Sequence, residues 1–161
     1  AATHTLTLPG AMLERGFWSY VWRVETPVGE YLYVGRTGDN SSPNASAPYQ
    51  RMGQHLGRQK NQNALRKHLD HCGIVPEHCK NFHLITYGPL FEQAVGMDDH
   101  EAPRDVMAAL EKALADTLKT AGYQVMNKVY CRKPLDKALF TSVREAFAKQ
   151  LPKLQEGRGR A

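Results

Sequence analysis

Residues 17–36 decide the fold: Phe17-Trp18-Ser19-Tyr20-Val21-Trp22-Arg23-Val24, the turn Thr26-Pro27-Val28-Gly29, then Tyr31-Leu32-Tyr33-Val34-Gly35-Arg36. Aromatic and β-branched residues dominate both flanks, as pleated strands prefer. Between them stand the Pro and Gly of a tight turn. The stretch therefore predicts a β-hairpin. Alternation puts Tyr20 and Trp22 on one face of its first strand, with Arg36 three residues past Tyr33 at the exit of the second. Downstream, Arg51 and His55 are four apart, so a helix over 49–56 sets them on one face. Hydroxyls from strands and cations from a helix suit a phosphate.

Outward from the hairpin, 38–48 (GDNSSPNASAP) is a polar loop too long for a tight connection, a kind of segment that often carries function. A second helix is expected over 63–71, stopped by Gly73. FHLITY, 82–87, reads as a third strand closed by Gly88-Pro89. Pro103 suits the first turn of a helix over 103–121, with Val106, Leu110, Ala113, Leu114 and Leu118 at helical spacing and Gly122 as its stop. A last helix is expected over 135–151, with Leu139, Val143, Ala146 and Phe147 on one face. The Gly/Arg-rich tail 156–161 is expected to be mobile. The order strand, strand, helix, helix, strand, helix, helix gives a mixed α/β (α+β) domain: a small three-stranded antiparallel sheet flanked by helices.

The 161 residues fit a single domain, with 42% hydrophobic and 23% charged residues, which excludes a disordered chain. No apolar run approaches the ~20 residues of a membrane span. A net charge of +5 favours a polyanionic partner. The first residues lack the basic and apolar regions of a signal peptide. Three cysteines, Cys72, Cys79 and Cys131, make no disulfide framework. The expected location is a reducing cytoplasm. His71-Cys72 and His78-Cys79 raise the idea of zinc and an interaction module, but adjacent ligands converge poorly and no C-x₂-C spacing is present.

Hydrolysing a phosphodiester needs an activated water, neutralised phosphate charge and help for the leaving oxygen. Glu111 supplies the acidic candidate: its helical neighbours Met107, Ala108, Leu114 and Ala115 put it at the edge of the core, where a carboxylate needs a cationic partner. Asn127 either orients substrate or secures the returning chain through side-chain hydrogen bonds. Arg58, Lys60, Arg66 and Lys67, with His68 beside them, could line a nucleic-acid backbone groove or be a plain polar surface; Arg132 and Lys133 offer a second patch. Taken singly, Tyr20, Trp22, Tyr31 and Tyr33 are ordinary sheet aromatics, and Arg51 and His55 a solvated helix face. Their order along the chain is what joins them.

That order resembles the GIY-YIG nuclease domain over residues 17–127. Tyr33-Val34-Gly35 matches the second tripeptide of the family, and Arg36 its following basic residue. Arg51-Met52-Gly53-Gln54-His55 resembles the Arg-x-x-x-His helix of the restriction-enzyme members. Glu111 and Asn127 match the acidic metal ligand and the terminal Asn. The resemblance implies a metal-dependent endonuclease using Mg²⁺ or Mn²⁺ on Glu111 and acting on DNA, duplex by expectation. Tyr20, Tyr33, Arg36, Arg51, His55, Glu111 and Asn127 are the catalytic candidates it implies. Trp22 departs from the pattern, because hairpin spacing puts it where the family has the tyrosine that takes a proton from water. Indole cannot accept that proton. Tyr20, Tyr33 or His55 then takes the role, or the chain is a non-catalytic nucleic-acid-binding module on the same fold.

Overall fold

The computed structural model describes residues 1–156. Three strands, β1 (Phe17–Thr26), β2 (Gly29–Arg36) and β3 (Asn81–Phe91), form one antiparallel sheet in the order β2-β1-β3. Helices α1 (Pro48–Leu56) and α2 (Ala64–His71) lie between β2 and β3 in the chain. Helices α3 (Met97–Thr120), α4 (Lys137–Ala148) and the short α5 (Lys153–Glu156) follow β3. The α/β class and the three-stranded sheet are those the sequence pattern predicts. Apart from Glu156, the expected tail 156–161 lies outside the described residues. Among the described residues no helix is long and apolar enough to cross a membrane.

The hairpin register pairs Trp22 with Tyr33 and Tyr20 with Gly35. Alternation then sends Phe17, Val21, Leu32 and Val34 to one face, where Leu110, Leu114 and Leu118 of α3 and Val143 and Phe147 of α4 cover them. Tyr20, Trp22, Val24, Tyr31 and Tyr33 go to the other, beneath Leu65 and Leu69 of α2 and Met52 and Leu56 of α1. Both faces are covered, so the middle strand β1 is buried at nearly every position instead of alternating. Gly35 has a steric reason: a Cβ there would collide with the phenol ring of Tyr20.

After α3 the chain returns along the outer edge of β2. The Leu32 amide donates to the Gln124 carbonyl and the Met126 amide to the Leu32 carbonyl, both at 2.8 Å. This run parallel to β2 satisfies edge groups that would otherwise be open.

Three boundaries differ from expectation. β3 does not close at Gly88-Pro89 but continues to Phe91. It is an edge strand, where a proline lacking an N–H is tolerated, and the β1–β3 register shifts opposite this point. Helix α3 begins at Met97, so Pro103 lies inside it and not in its first turn. One backbone bond is forfeited there, while Asp98 and Asp99 in the true first turn favour the helix dipole. The last helix starts at Lys137, where the Asp136 carboxylate accepts from the Leu139 amide at 2.9 Å, and ends at Ala148. A separate turn, α5, follows it.

Candidate active site

The exit of β2 is where the chemistry-bearing residues gather. Tyr20 and Tyr33 arrive from the sheet face under α1. Arg51 and His55 arrive from α1, whose proline start and four-residue spacing direct both side chains down onto that face. Arg36 leaves the end of β2 and meets Glu111 of α3, with Nε 3.0 Å from Oε2 and both side chains mostly buried. The Tyr20 hydroxyl lies within electrostatic range of Tyr33, Arg51, Glu111 and Arg36. Six of the seven candidates therefore surround one point.

His55 is held from both sides. The Trp22 indole N–H donates to Nδ1 at 3.0 Å, and Nε2 lies 3.2 Å from the Tyr20 hydroxyl. An indole N–H can only donate, so Nδ1 carries no proton and the neutral ring is protonated at Nε2. Nε2–H then donates to Tyr20 Oη, leaving the phenol's own proton free for another acceptor. Burial first, then Arg51 and His68, press the His55 pKa down to about 4, which keeps the ring neutral. With both nitrogens engaged and the ring 4% exposed, His55 is a poor base toward external water. Trp22, the departure from the family pattern, is buried at 1% exposure and acts by orienting His55.

The linkage has a definite sign. A histidine neutral in the fold binds fewer protons than the unfolded chain between about pH 4 and its ordinary 6.5, so stability rises with pH across that window. From pH 7 down to pH 5 His55 should cost about 2 kcal/mol of unfolding free energy. Urea titrations of the wild type and His55→Gln check this, with the variant's stability falling less on acidification. Parallel pH curves would show that His55 charges freely in the folded state.

Burial, with Tyr33 and Glu111 opposing Arg51 and Arg36, pushes the Tyr20 hydroxyl well above its usual range. Burial and Glu111 push Tyr33 up to about 12. The Glu111 carboxyl is raised by burial against the pull of Arg36 and Arg51. Both tyrosines are thus neutral at physiological pH in this state, and the Glu111 carboxylate is already paired with Arg36.

The 38–48 loop is pinned against the site. Arg36 donates to the Gly38 carbonyl and Asn40 Oδ1, both at 2.9 Å. The buried His100 holds the Asp39 carbonyl at 2.6 Å, and Arg104 the Asn40 carbonyl at 2.9 Å. Asp39 is thereby placed 3.5 Å from Arg51. Even so, Nε of Arg36 and Nε of Arg51 are buried without a hydrogen-bond partner among the described residues. The Arg36–Glu111 contact is a close ion pair and not an aligned hydrogen bond. The Arg51 Nε–H, buried without an acceptor beside the Arg36–Glu111 pair, suits an anion with several oxygens.

Asn127 is placed otherwise. Its Nδ2 donates to the Val34 carbonyl at 2.7 Å and its Oδ1 accepts from the Val34 amide at 3.0 Å, so the amide is spent on the backbone of β2. Of the two roles open for it in the sequence, this is the securing one. Arg66 is likewise occupied, donating to the Leu56 carbonyl at 3.1 Å and to Glu77 at 2.7 Å, and Arg58 approaches Glu77 at 3.4 Å. Lys60 and Lys67 are exposed.

Asp39 and His68 belong to the site and carry no local signal. His68 packs tilted against the Tyr33 ring at 5.3 Å, as His55 packs edge-on at 5.3 Å, and only packing of α2 on the sheet brings it there. Among the described residues no three His, Cys, Asp or Glu side chains converge as a metal-holding group, the His71–Cys79 segment included. A magnesium ion needs less, because one carboxylate with water and substrate phosphate oxygens completes its shell, and Glu111 fits that description. A groove of 740 Å³ runs beside β3, lined by Trp18, Phe82, Leu84 and Phe147, and contains none of the seven candidates. Compared with protein-family models, curated proteins and solved structures, the chain matches none, and its cluster of two tyrosines, two arginines, a histidine and a glutamate stands on its own geometry.

Proposed function

We propose that the protein is a metal-dependent DNA endonuclease of the GIY-YIG type. The observation that carries this is the convergence of Tyr20, Tyr33, Arg36, Arg51 and Glu111 at the exit of β2, with the buried Arg51 Nε–H lacking an acceptor. The Arg51 and Arg36 guanidinium groups would bind the scissile phosphate and take up charge as the pentacoordinate state forms. Glu111 would hold Mg²⁺ or Mn²⁺, which supplies Lewis-acid stabilisation at the phosphate. Tyr20 would accept a proton from the attacking water as a phenolate, held by the Nε2–H of His55 and by Arg51. Hydroxide then attacks phosphorus, the P–O bond to the leaving group breaks, and solvent protonates the departing oxygen. Burial disfavours ionisation of Tyr20 in this state, so its ionisation would be tied to the arrival of positive charge beside Glu111. The three free cysteines fit a reducing cytoplasm.

The test is nicking of supercoiled plasmid with Mg²⁺ or Mn²⁺, with EDTA and Arg51→Ala as controls. Nicked circles should appear with metal and vanish with EDTA, and Arg51→Ala should slow the reaction by about 10²–10³-fold. A second reading has its own support: both tyrosines are neutral and Glu111 is closed by Arg36, as in a domain that holds phosphate without cutting. Salt-dependent DNA binding with no cleavage of plasmid, branched DNA or RNA would establish that module instead.

A further inference from the structure

Beyond Asn127 the chain passes back along α3. Two contacts fix its course. Lys119 Nζ donates to the Asn127 carbonyl at 3.3 Å, and Lys133 Nζ pairs with Asp105 Oδ2 at 3.3 Å. On α3, Asp105 and Lys119 are about 21 Å apart, and the two lysine side chains with the chain from Asn127 to Lys133 bridge that distance. The segment therefore runs antiparallel to α3, from the Lys119 end toward Asp105.

Exposure alternates along this run. Lys128, Tyr130 and Arg132 are exposed, while Val129 and Cys131 are partly covered and Val129 packs on the core. Tyr130 is 86% exposed, against 50% for Tyr49. None of Lys128, Tyr130 and Arg132 has a hydrogen bond, ion pair or ring contact among the described residues. A single exposed tyrosine is unremarkable. One set between two free cations, each two residues away on the same side, is a row of a different kind. Cation, aromatic ring, cation is the order in which a nucleic-acid strand offers phosphate, base, phosphate.

We infer that Lys128, Tyr130 and Arg132 form a binding strip for an unpaired nucleic-acid strand, Tyr130 stacking on a base and the two cations contacting flanking phosphates. The inference deepens the proposed function and rests on it for one thing, that the strand leads to the Arg36–Glu111 pair. Cleavage would then fall where bases are unpaired or frayed.

The experiment is fluorescence anisotropy of a labelled oligothymidylate in EDTA, so that no cleavage is asked of the protein. Tyr130→Ala should weaken binding by about 5- to 100-fold, with an unchanged salt slope. Tyr130→Phe should bind like the wild type. The double variant Lys128→Ala/Arg132→Ala should reduce the slope of log K against log salt by about 1.4. Tyr130→Ala within twofold of the wild type, Tyr130→Phe as weak as Tyr130→Ala, or no binding by the wild type would each overturn the strip. The outcomes separate it from the nuclease reading. A wild type that binds through Tyr130 but never nicks plasmid removes the nuclease and keeps the strip. One that nicks, with Tyr130→Ala binding normally, does the reverse.

Discussion

Glu111→Gln will abolish plasmid nicking, by about 10³-fold or more, and leave the protein at least as stable at pH 7. Glutamine keeps the size of the side chain and an oxygen for Arg36, but has no charge with which to hold a divalent cation. The stability half of the prediction follows from the direction in which Glu111 is shifted. Burial raises its carboxyl more than Arg36 and Arg51 lower it. A carboxyl raised in the fold is most favourable to folding when protonated. Its contribution is fully present below the unfolded value and lost as pH rises through the folded one. At pH 7 ionised Glu111 therefore weighs against folding, and the neutral amide removes that term. Thermal melts at pH 7 beside the nicking assay decide the matter. A large drop in melting temperature would make Glu111 the structural counter-ion of Arg36, and metal-dependent nicking that survives would remove it from the chemistry.

Asn127→Ala will behave in the opposite way, losing stability first. The one side chain satisfies both the amide and the carbonyl of Val34, a residue with no solvent exposure. Alanine leaves a buried donor and a buried acceptor without partners at about 1–3 kcal/mol each, so the loss should total about 2–6 kcal/mol. In urea the midpoint should fall with the slope unchanged. Asn127→Asp should be no better, because a carboxylate can accept from the Val34 amide but cannot donate to its carbonyl. Full stability with lost cleavage would instead make Asn127 a substrate-orienting group.

The two residues show where reading the sequence stopped. Glu111 was legible because helical spacing put a carboxylate at the margin of an apolar stripe, a local property. Asn127 was open between two roles because its partner lies 93 residues away, in a strand with which it shares no local pattern. Trp22 shows the same limit more sharply. Spacing marked it as a misfit, and only the packing of α1 on the sheet revealed that its N–H fixes the proton of His55 and, through it, the hydrogen bonding of Tyr20. Arg66 looked like a free cation on a basic helix, yet the approach of α1 and the turn at Pro76–His78 spends its guanidinium on Leu56 and Glu77.

By itself the sequence determined the hairpin, the order of strands and helices, and the candidates strung along them, because alternation, turn chemistry and helical period are properties of neighbouring residues. The run of β3 past Gly88-Pro89 and the start of α3 before Pro103 were settled by tertiary placement. Proline's local cost was outweighed in one case by an open sheet edge and in the other by a long packed helix. Only the tertiary structure decided which polar groups meet. It closed Glu111 on Arg36, locked His55 between Trp22 and Tyr20, turned Asn127 inward to Val34 and left the Arg51 Nε–H without an acceptor. The physical reason is that hydrogen bonds and desolvation act between groups distant in sequence, and their sign depends on what else is buried beside them.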